Sequence, residues 1–234
     1  MAATNLTPAQ SIVPTGGLSS IGQWGARTKV PSFSKEPEMS RVTHIYSADQ
    51  YPHELADGEA GAQLERALLK YERFTQSWPG SDGKASAVGN NWAVLLHAPR
   101  FAEIMVDFSD FVQNHLAWCR RAAPRELAIL VLFQRRGSDY GFQSHLAPAA
   151  AAGVTEGQLA DLPTYLTSDS FDEEERDAIA YTHAALDGDV PDELFQRLKQ
   201  RYGEQQVVEM AVLVGFYSLW AILLDTLRPE YVSA

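Results

Sequence analysis

The segment RELAILVLFQRRGSDYGFQSHLAPAAAAG, residues 125–153, decides the predicted fold. Its first part, residues 125–134, is almost entirely apolar, so a buried strand and a buried helix both fit its residue types. The alanine, leucine, glutamate and arginine content favours the helix. Gly137 then supplies a turn, and the residues after it predict a second helix, interrupted by Pro148 and closed by Gly153. The sequence therefore predicts two helices that fold back on each other as a hairpin.

Helical patterns continue on both sides of this hairpin. Upstream, residues 54–76 and 100–119 carry apolar side chains at helical spacing, and Pro99 marks the boundary before the second segment. The two stripes consist of Leu64, Leu68 and Tyr71, and of Ile104, Phe108, Phe111 and Leu116. Downstream, Thr155 and Gln158 form a predicted capping pair. No segment alternates apolar and polar residues as a half-buried strand does, so the predicted fold class is all-α.

Further helices are predicted towards the C-terminus. Acidic residues at 172–175 and at Asp192 suit the positive ends of helix dipoles. The last helix, VVEMAVLVGFYSLWAILL at residues 207–224, approaches the length that spans a bilayer. Because Glu209 lies inside it and further charges flank it, we expect a buried or subunit-facing helix and no membrane contact.

The first fifty residues differ from the rest of the chain. They are rich in proline, glycine, serine and threonine without a sustained period, which predicts an irregular N-terminal extension over residues 1–50. Residues 51–234 are predicted to form a single helical domain. The N-terminus has neither a basic region nor a continuous apolar region of a signal peptide, so a cytoplasmic location is expected.

Composition narrows the functional classes. The chain has 234 residues and a formal net charge of −11, and such a surface repels phosphate backbones, so nucleic acid is not an expected partner. Cys119 is the only cysteine, which excludes an internal disulfide and a CxxC couple. Arg120 and Arg121 beside it would lower the pKa of its thiol and make it a candidate nucleophile. An unpaired thiol at a helix end is the alternative interpretation.

Cofactor motifs are missing from the sequence. The six histidines are scattered, without an HxxxH or HxH pair, so no metal site is predicted. The chain contains no GxGxxG, GxxxxGK[ST] or GxSxG motif, which leaves nucleotide binding and esterase chemistry without local support. We therefore predict a small-molecule substrate and no cofactor.

Glu126 and His145 are the candidate catalytic pair. Glu126 begins an apolar run, and burial raises the pKa of a carboxyl unless a partner stabilises its charge. If the hairpin closes, His145 is the natural partner, and such a pair can share a proton. Gly141 lies one turn before His145 and is predicted to leave room above the ring. The alternatives are an ion pair of Glu126 with Arg125 or Arg136, and a core histidine bonded to a backbone carbonyl.

Other residues are candidates for substrate contacts. Tyr140 and Ser138, at the start of the second helix, are predicted to supply hydroxyl donors to the catalytic site. Tyr217 and Trp220 on the last helix are candidates for lining an apolar pocket for a ring-containing substrate, and Arg136 for offsetting the acidic surface. The aromatic residues equally fit core packing or a subunit interface.

Taken in this order, these motifs resemble the carboxymuconolactone decarboxylase and alkylhydroperoxidase D superfamily. The resemblance rests on residues 125–162, extends through residues 172–219, and covers about residues 90–228 in all. It implies an all-helical, AhpD-like fold that is usually oligomeric. A homo-oligomer, either a dimer, a trimer or a hexamer, is therefore expected.

The peroxidase branch of this superfamily carries a glutamate, a CxxC pair, and a histidine four residues after the second cysteine. Glu126 and His145 match, whereas Ser138 and Gly141 stand at the two cysteine positions. Thiol–disulfide exchange requires a thiolate, so a thiol peroxidase is not expected. The sequence is more similar to the decarboxylase-like branch, which lacks the cysteine pair.

That second resemblance implies a cofactor-independent lyase acting on a small organic acid, lactone or other carbonyl compound. His145 would move the proton, and Glu126 would orient or recharge the imidazole. An isomerase that uses the same enolate is one alternative. A non-catalytic helical module for oligomerisation or binding is the other.

Overall fold

The computed structural model describes residues 40–52, 58–77 and 89–231. The all-α prediction is confirmed, since these residues form helices and no strand. The helices of six or more residues are α1 (Glu59–Ser77), α2 (Pro99–Asp110), α3 (Ala122–Arg136), α4 (Asp139–Ala151), α5 (Glu156–Asp161), α6 (Glu173–Asp187) and α7 (Asp192–Leu227). Short helical turns lie at Ala48–Gln50, Asn90–Ala93, Leu95–His97, Phe111–His115, Trp118–Arg120 and Leu162–Thr164.

Helices α3 and α4 form the predicted hairpin. Gly137 ends α3 in the left-handed region, at φ 69°, where a residue without Cβ is favoured. The prediction that Pro148 interrupts α4 is wrong, because the helix continues through it to Ala151. A proline removes one backbone N–H, and the neighbouring bonds persist, as in the 2.9 Å bond from the N–H of Ala152 to the carbonyl of Pro148. Gly153, at φ 91°, follows the helix end as predicted.

Helix α3 lies at the centre of the molecule. Leu127, Leu130 and Val131 pack into one apolar cluster, together with residues of α4 and α6. Ile129 and Phe133 pack into the main core against α7. Because α3 is buried on both sides, its sequence has no polar face, which explains why residue type alone did not distinguish a helix from a strand.

The helix ends follow the predicted signals. Thr155 and Gln158 form a capping box at the start of α5. Asp172 and Glu175 form a second one at the start of α6. Within α7 the backbone of Gly203 is non-helical (φ 79°, ψ 167°), which separates the two helical segments expected from the sequence.

The stripe predicted on α2 and the turn after it is only partly buried. Leu116 is 4% exposed and Phe108 packs against the main core, whereas Ile104 and Phe111 are 47% and 48% exposed. Met105 and Val112 are buried in their place. Two helical stripes of similar apolar content run along this segment, so spacing alone could not select between them. The helix also changes after Asp110 into a wider π-helical turn, Phe111–His115, which shifts the register of the following side chains.

Residues 40–52 are largely irregular and dock on the helices. The N–H of Ile45 donates to the carbonyl of Ala93 at 3.1 Å, and the N–H of Arg41 donates to Leu227 at 3.0 Å. Ile45 is only 2% exposed and belongs to the main core. Residues 1–39 of the predicted extension lie outside the described residues. The same holds for the predicted helix start at residues 54–57.

Helix α7 is long and apolar enough to cross a membrane by length and composition alone, with a mean hydropathy of 2.1 in its most apolar window. Core helices of ordinary folds pass the same test, and 56% of that window is buried inside the protein. Glu209, inside the window, is 7% exposed and accepts a 2.7 Å hydrogen bond from the N–H of Trp118. The helix therefore packs largely against the rest of the fold.

Candidate active site

The hairpin brings Glu126 and His145 together. Glu126 Oε2 lies 2.8 Å from His145 Nδ1, and the two side chains are 3% and 9% exposed. Glu126 sits in the first turns of α3 and His145 in the second half of α4, so the turn at Gly137 sets their register. Of the alternatives left open by the sequence, the ion pair with Arg125 also forms, on the other carboxylate oxygen.

Arg125 and His145 contact opposite oxygens of the Glu126 carboxylate, so the three side chains form one connected group. Its Nε and Nη2 lie 2.9 Å from Glu126 Oε1, and its Nη1 donates to the carbonyl of Cys119 at 2.9 Å. Burial by itself would raise the pKa of the Glu126 carboxyl, but His145 and then Arg125 outweigh it, so this pKa lies below its ordinary value. Glu126 is therefore a carboxylate at neutral pH.

The carboxylate fixes the tautomer of His145. A carboxylate only accepts hydrogen bonds, so the imidazole Nδ1 carries the proton and donates it to Glu126 Oε2. In the neutral ring the lone pair is then on Nε2, which makes no hydrogen bond to the described residues. Nε2 is thus the nitrogen that a ligand can reach, and it is suited to act as a base.

Gly141 has a different role from the one predicted. A Cβ at this position would lie 2.2 Å from Cδ1 and Cε1 of Phe133, so the space beside the backbone is filled by an aromatic ring and is not open. The expectation that Gly141 leaves room above the imidazole is therefore wrong. Phe133 packs there against the helix backbone, with its ring centroid 5.7 Å from that of His145. The ring of Tyr217 contacts His145 edge-on at 5.1 Å.

His145 lines a cavity of about 510 Å³. This volume falls in the range of small-molecule sites, about 300–1,000 Å³. Eight aromatic residues from α1, α3, α4, α7 and the turn at Asn90–Ala93 line it: Tyr71, Phe74, Trp92, Phe133, Tyr140, Phe216, Tyr217 and Trp220. The lining also includes Ala147 and Ala151 of α4, which are exposed, so the cavity reaches the surface there.

The predicted site residues separate into two groups. Tyr140, Tyr217 and Trp220 line the cavity together with His145. Burial raises the pKa of the Tyr217 hydroxyl well above its ordinary value, so it stays protonated. Ser138 and Arg136 are not part of the lining.

Ser138 is buried, and its Oγ has no hydrogen-bond partner of good geometry in the described structure. It lies near Asp225 of α7, whose carboxyl pKa is raised by burial and partly lowered again by Ser138 and by Arg136. Arg136 is exposed on the surface. The hydroxyl-donor role predicted for Ser138 and the substrate contact predicted for Arg136 thus have no geometric support.

The hydroxyl of Tyr140 is engaged within the protein. It donates to Asn91 Oδ1 and accepts from the N–H of Asn91, both at 3.1 Å. Burial raises its pKa to about 12. Because its one proton is committed to Asn91, Tyr140 positions the wall of the cavity and is poorly placed to donate to a substrate oxygen.

Five polar residues of the lining were missed in the sequence: Thr75, Asn91, Ser109, Gln113 and Ser144. Asn91 comes from a short turn far from the hairpin. Gln113 comes from the π-helical turn Phe111–His115, a distortion that often marks functional sites. Nothing in the local sequence distinguishes this turn from the end of an ordinary helix, so no signal was available.

Cys119 is unsuited to thiol chemistry. Its side chain is fully buried, at 0% exposed, and burial raises the pKa of its thiol to about 12. Arg125 lowers this pKa too little to offset burial. The predicted activation by Arg120 and Arg121 is therefore wrong, and the interpretation as an inert thiol is favoured. Among the described residues, no group of three histidine, cysteine or acidic side chains is arranged to hold a metal ion.

Comparison with known proteins agrees with this architecture. Residues 116–184, which include the hairpin, match the carboxymuconolactone decarboxylase family. The uncharacterized protein YdfG of Bacillus subtilis (strain 168) is 26% identical over 126 residues, which are 53% of this chain and 84% of YdfG.

Two crystal structures share the fold. One is ATU0492 from Agrobacterium tumefaciens, a protein of unknown function described as a candidate antioxidant defence protein AhpD (TM-score 0.52, 17% identity, 60% of this chain and 97% of that one). The other is the debrominase Bmp8 in its apo form (TM-score 0.57, 16% identity, 78% of this chain and 90% of that one). At these identities the likeness concerns the fold and not the activity.

The family match and the shared fold together confirm the resemblance seen in the sequence. Over residues 116–184 the chain is similar to the carboxymuconolactone decarboxylase family, and its fold is shared with an AhpD-like protein.

Proposed function

We propose that the protein is a cofactor-independent enzyme of the decarboxylase-like branch, which moves a proton on a small carbonyl compound with His145 as the base. The supporting observation is the 2.8 Å pair of Glu126 and His145 on a cavity of small-molecule size. Lyase chemistry on an organic acid, a lactone or another carbonyl compound is the leading form of this proposal.

In the proposed mechanism, Nε2 of His145 removes a proton from the carbon next to the substrate carbonyl. The electron pair of that C–H bond forms the enolate, and the imidazolium is stabilised by the adjacent carboxylate of Glu126. In a lyase, the enolate collapses with cleavage of the bond to a leaving group. In an isomerase, the imidazolium returns its proton to a different carbon. Arg125 keeps Glu126 ionised and in place throughout.

Proton exchange tests this step without knowledge of the natural substrate. In D₂O, 2-tetralone, an uncharged ring ketone with acidic α-protons, should take up deuterium faster with the protein than with buffer, as followed by NMR. The variant His145→Gln should lose about two to four orders of magnitude of this rate, the usual contribution of general base catalysis. Glu126→Gln should lose part of it, because the tautomer is then no longer fixed.

A non-catalytic module makes the opposite prediction. If wild type and His145→Gln both exchange at the buffer rate while circular dichroism shows that both are folded, the enzymatic proposal is wrong. Asn114→Leu is a suitable control, since Asn114 hydrogen-bonds to Asp110 and does not line the cavity. It should exchange like wild type.

We also propose that the protein is a cytoplasmic homo-oligomer without membrane or nucleic-acid partners. In support, α7 carries an exposed apolar stripe, Val208, Ala211, Gly215 and Ile222, at the three- and four-residue spacing of a helix–helix contact. Val208 is 63% exposed and Ile222 is 56% exposed, which is unusual for such side chains in the most apolar helix of the fold. A second copy of α7 is the proposed partner of this stripe.

A further inference from the structure

We propose that the cavity selects an uncharged, flat ring compound with a carbonyl oxygen, and that the side-chain amide of Gln113 donates a hydrogen bond to that oxygen. This inference rests on the proposed function for the reaction, but concerns what the cavity binds. It narrows the predicted substrates from organic acids, lactones and carbonyl compounds to the last two.

The charge of the lining supports the first part. Among the described residues, no arginine, lysine, aspartate or glutamate lines the cavity. Arg125 and Glu126 lie behind His145 and neutralise each other. A carboxylate in this cavity would lose its hydration and find a protonated His145 as its one cationic partner in the lining, which would remove the base. An uncharged substrate does not carry this cost.

The shape of the wall supports a flat ring. Trp92 lies between two aromatic neighbours, with ring centroids 4.9 Å from Trp220 and 5.4 Å from Tyr71. Phe133 and Tyr217 extend the wall to His145, with their rings 5.8 Å apart and nearly perpendicular. Ring edges and faces at these spacings suit a further aromatic or flat unsaturated ring, which gains both apolar burial and favourable ring geometry.

The polar groups of the lining support the role of Gln113. Most of the others already donate within the protein: Ser109 to the carbonyl of Met105, Ser144 to that of Gly141, and Tyr140 to Asn91. The Gln113 side chain is engaged with the Tyr217 hydroxyl, because a hydrogen bond from Gln113 partly lowers the pKa that burial raises, and Tyr217 contacts His145. A side-chain amide carries two N–H donors, so one N–H of Gln113 remains for a ligand. An N–H donor on this side of the cavity would bind the oxygen on which enolate charge develops.

Binding of three probes that share one ring system tests the inference. Tetralin has no oxygen, 2-tetralone has a carbonyl, and 1,2,3,4-tetrahydro-2-naphthoate has a carboxylate. By isothermal titration at pH 7.5, 2-tetralone should bind at least tenfold more tightly than the carboxylate. Equal or tighter binding of the carboxylate, or no binding of 2-tetralone, overturns the proposed selectivity.

The variant Gln113→Leu tests the donor. It should weaken binding of 2-tetralone by about tenfold, the upper range for one neutral hydrogen bond, and leave tetralin binding unchanged. Equal effects on both probes, or no effect on either, refute the role of Gln113. Asn114→Leu, the neighbouring residue on the same turn, should change neither.

The two proposals fail separately. His145→Gln should still bind 2-tetralone, because the cavity wall is intact, while its exchange of α-protons is lost. If the probes bind in the expected order but His145→Gln exchanges as fast as wild type, the catalytic proposal fails and the binding inference stands. If exchange depends on His145 but the carboxylate binds best, the binding inference fails and the catalytic proposal stands.

Discussion

Replacement of Gly141 by alanine should damage the site through a single methyl group. An ideal Cβ at this position lies 2.2 Å from two carbons of the Phe133 ring and 2.6 Å from a third. Carbon atoms in contact normally lie about 3.5–4.0 Å apart, so the ring must move by more than about 1 Å. Phe133 is 2% exposed and its ring packs against those of His145 and Tyr217, so any movement of this ring is passed on to His145, the proposed base.

The expected cost follows from two opposing effects. Overpacking of a rigid core costs about 1–3 kcal/mol, and this site belongs at the upper end because the obstacle is an enclosed ring. Alanine in a helix is favoured over glycine by about 1 kcal/mol. We therefore expect Gly141→Ala to lower the free energy of unfolding by about 2 kcal/mol, and the melting temperature by about 4–8 °C for a chain of this size. Exchange of 2-tetralone protons should fall as well.

Urea denaturation and thermal melting measure this effect directly. Gly157→Ala in α5 is the matched control, because a Cβ there would meet only Thr155 Oγ1, at an ordinary 3.7 Å. That variant should be as stable as wild type or up to about 1 kcal/mol more stable. If Gly141→Ala behaves like Gly157→Ala, the tight contact between Phe133 and α4 does not exist and the description of the site is wrong.

Three further predictions concern other parts of the molecule. Burial, followed by the charge of Arg135, lowers the pKa of His183 from 6.5 to about 4. As the pH falls from 6.5 towards 4, His183 takes up a proton in the unfolded chain but not in the folded protein, so wild type should lose up to about 3 kcal/mol of stability in this range. In urea titrations at several pH values, His183→Gln should lose less stability over the same range. An unchanged dependence of stability on pH in this variant would contradict the prediction. The thiol of Cys119 should react with Ellman's reagent only after unfolding, and Cys119→Ser should reduce hydroperoxides no differently from wild type; rapid labelling of the native protein would contradict its burial. Val208→Glu should lower the number of subunits per particle in analytical ultracentrifugation. Leu69 on α1 is 54% exposed, and Leu69→Glu should leave that number unchanged. The same number of subunits in both variants would exclude the α7 stripe as the contact.

The contact between Glu126 and His145 could be predicted from sequence because it depends on local features. Glu126 and His145 lie on two consecutive helices, and the glycine turn between them fixes which residues face each other. The capping pair of Thr155 and Gln158 could likewise be predicted, since both residues lie within one helical turn. Such contacts involve short sequence separations, where spacing and backbone preference decide the geometry.

The remaining features of the site depend on distant contacts. The space beside Gly141 is filled by Phe133 because of how two helices cross, which spacing along one helix cannot reveal. Tyr140 is engaged by Asn91, and this partner is separated from it by 49 positions in the chain. Gln113 enters the cavity from a π-helical turn that has the composition of ordinary helix. Tertiary packing, rather than local preference, determines each of these features.

The contact between Phe133 and Gly141 also restricts which side chains position 141 can accept, cysteine included. Gly141 stands where the resemblance to the peroxidase branch places the second cysteine, and any side chain with a Cβ there meets the Phe133 ring. A chance replacement of Gly141 by cysteine would impair folding before its sulfur could be of use, whatever residue occupies position 138. Phe133 would have to become smaller first, so the order of permissible mutations is restricted. The side chains that position 141 tolerates thus depend on the residue at position 133, which is a case of epistasis between two helices.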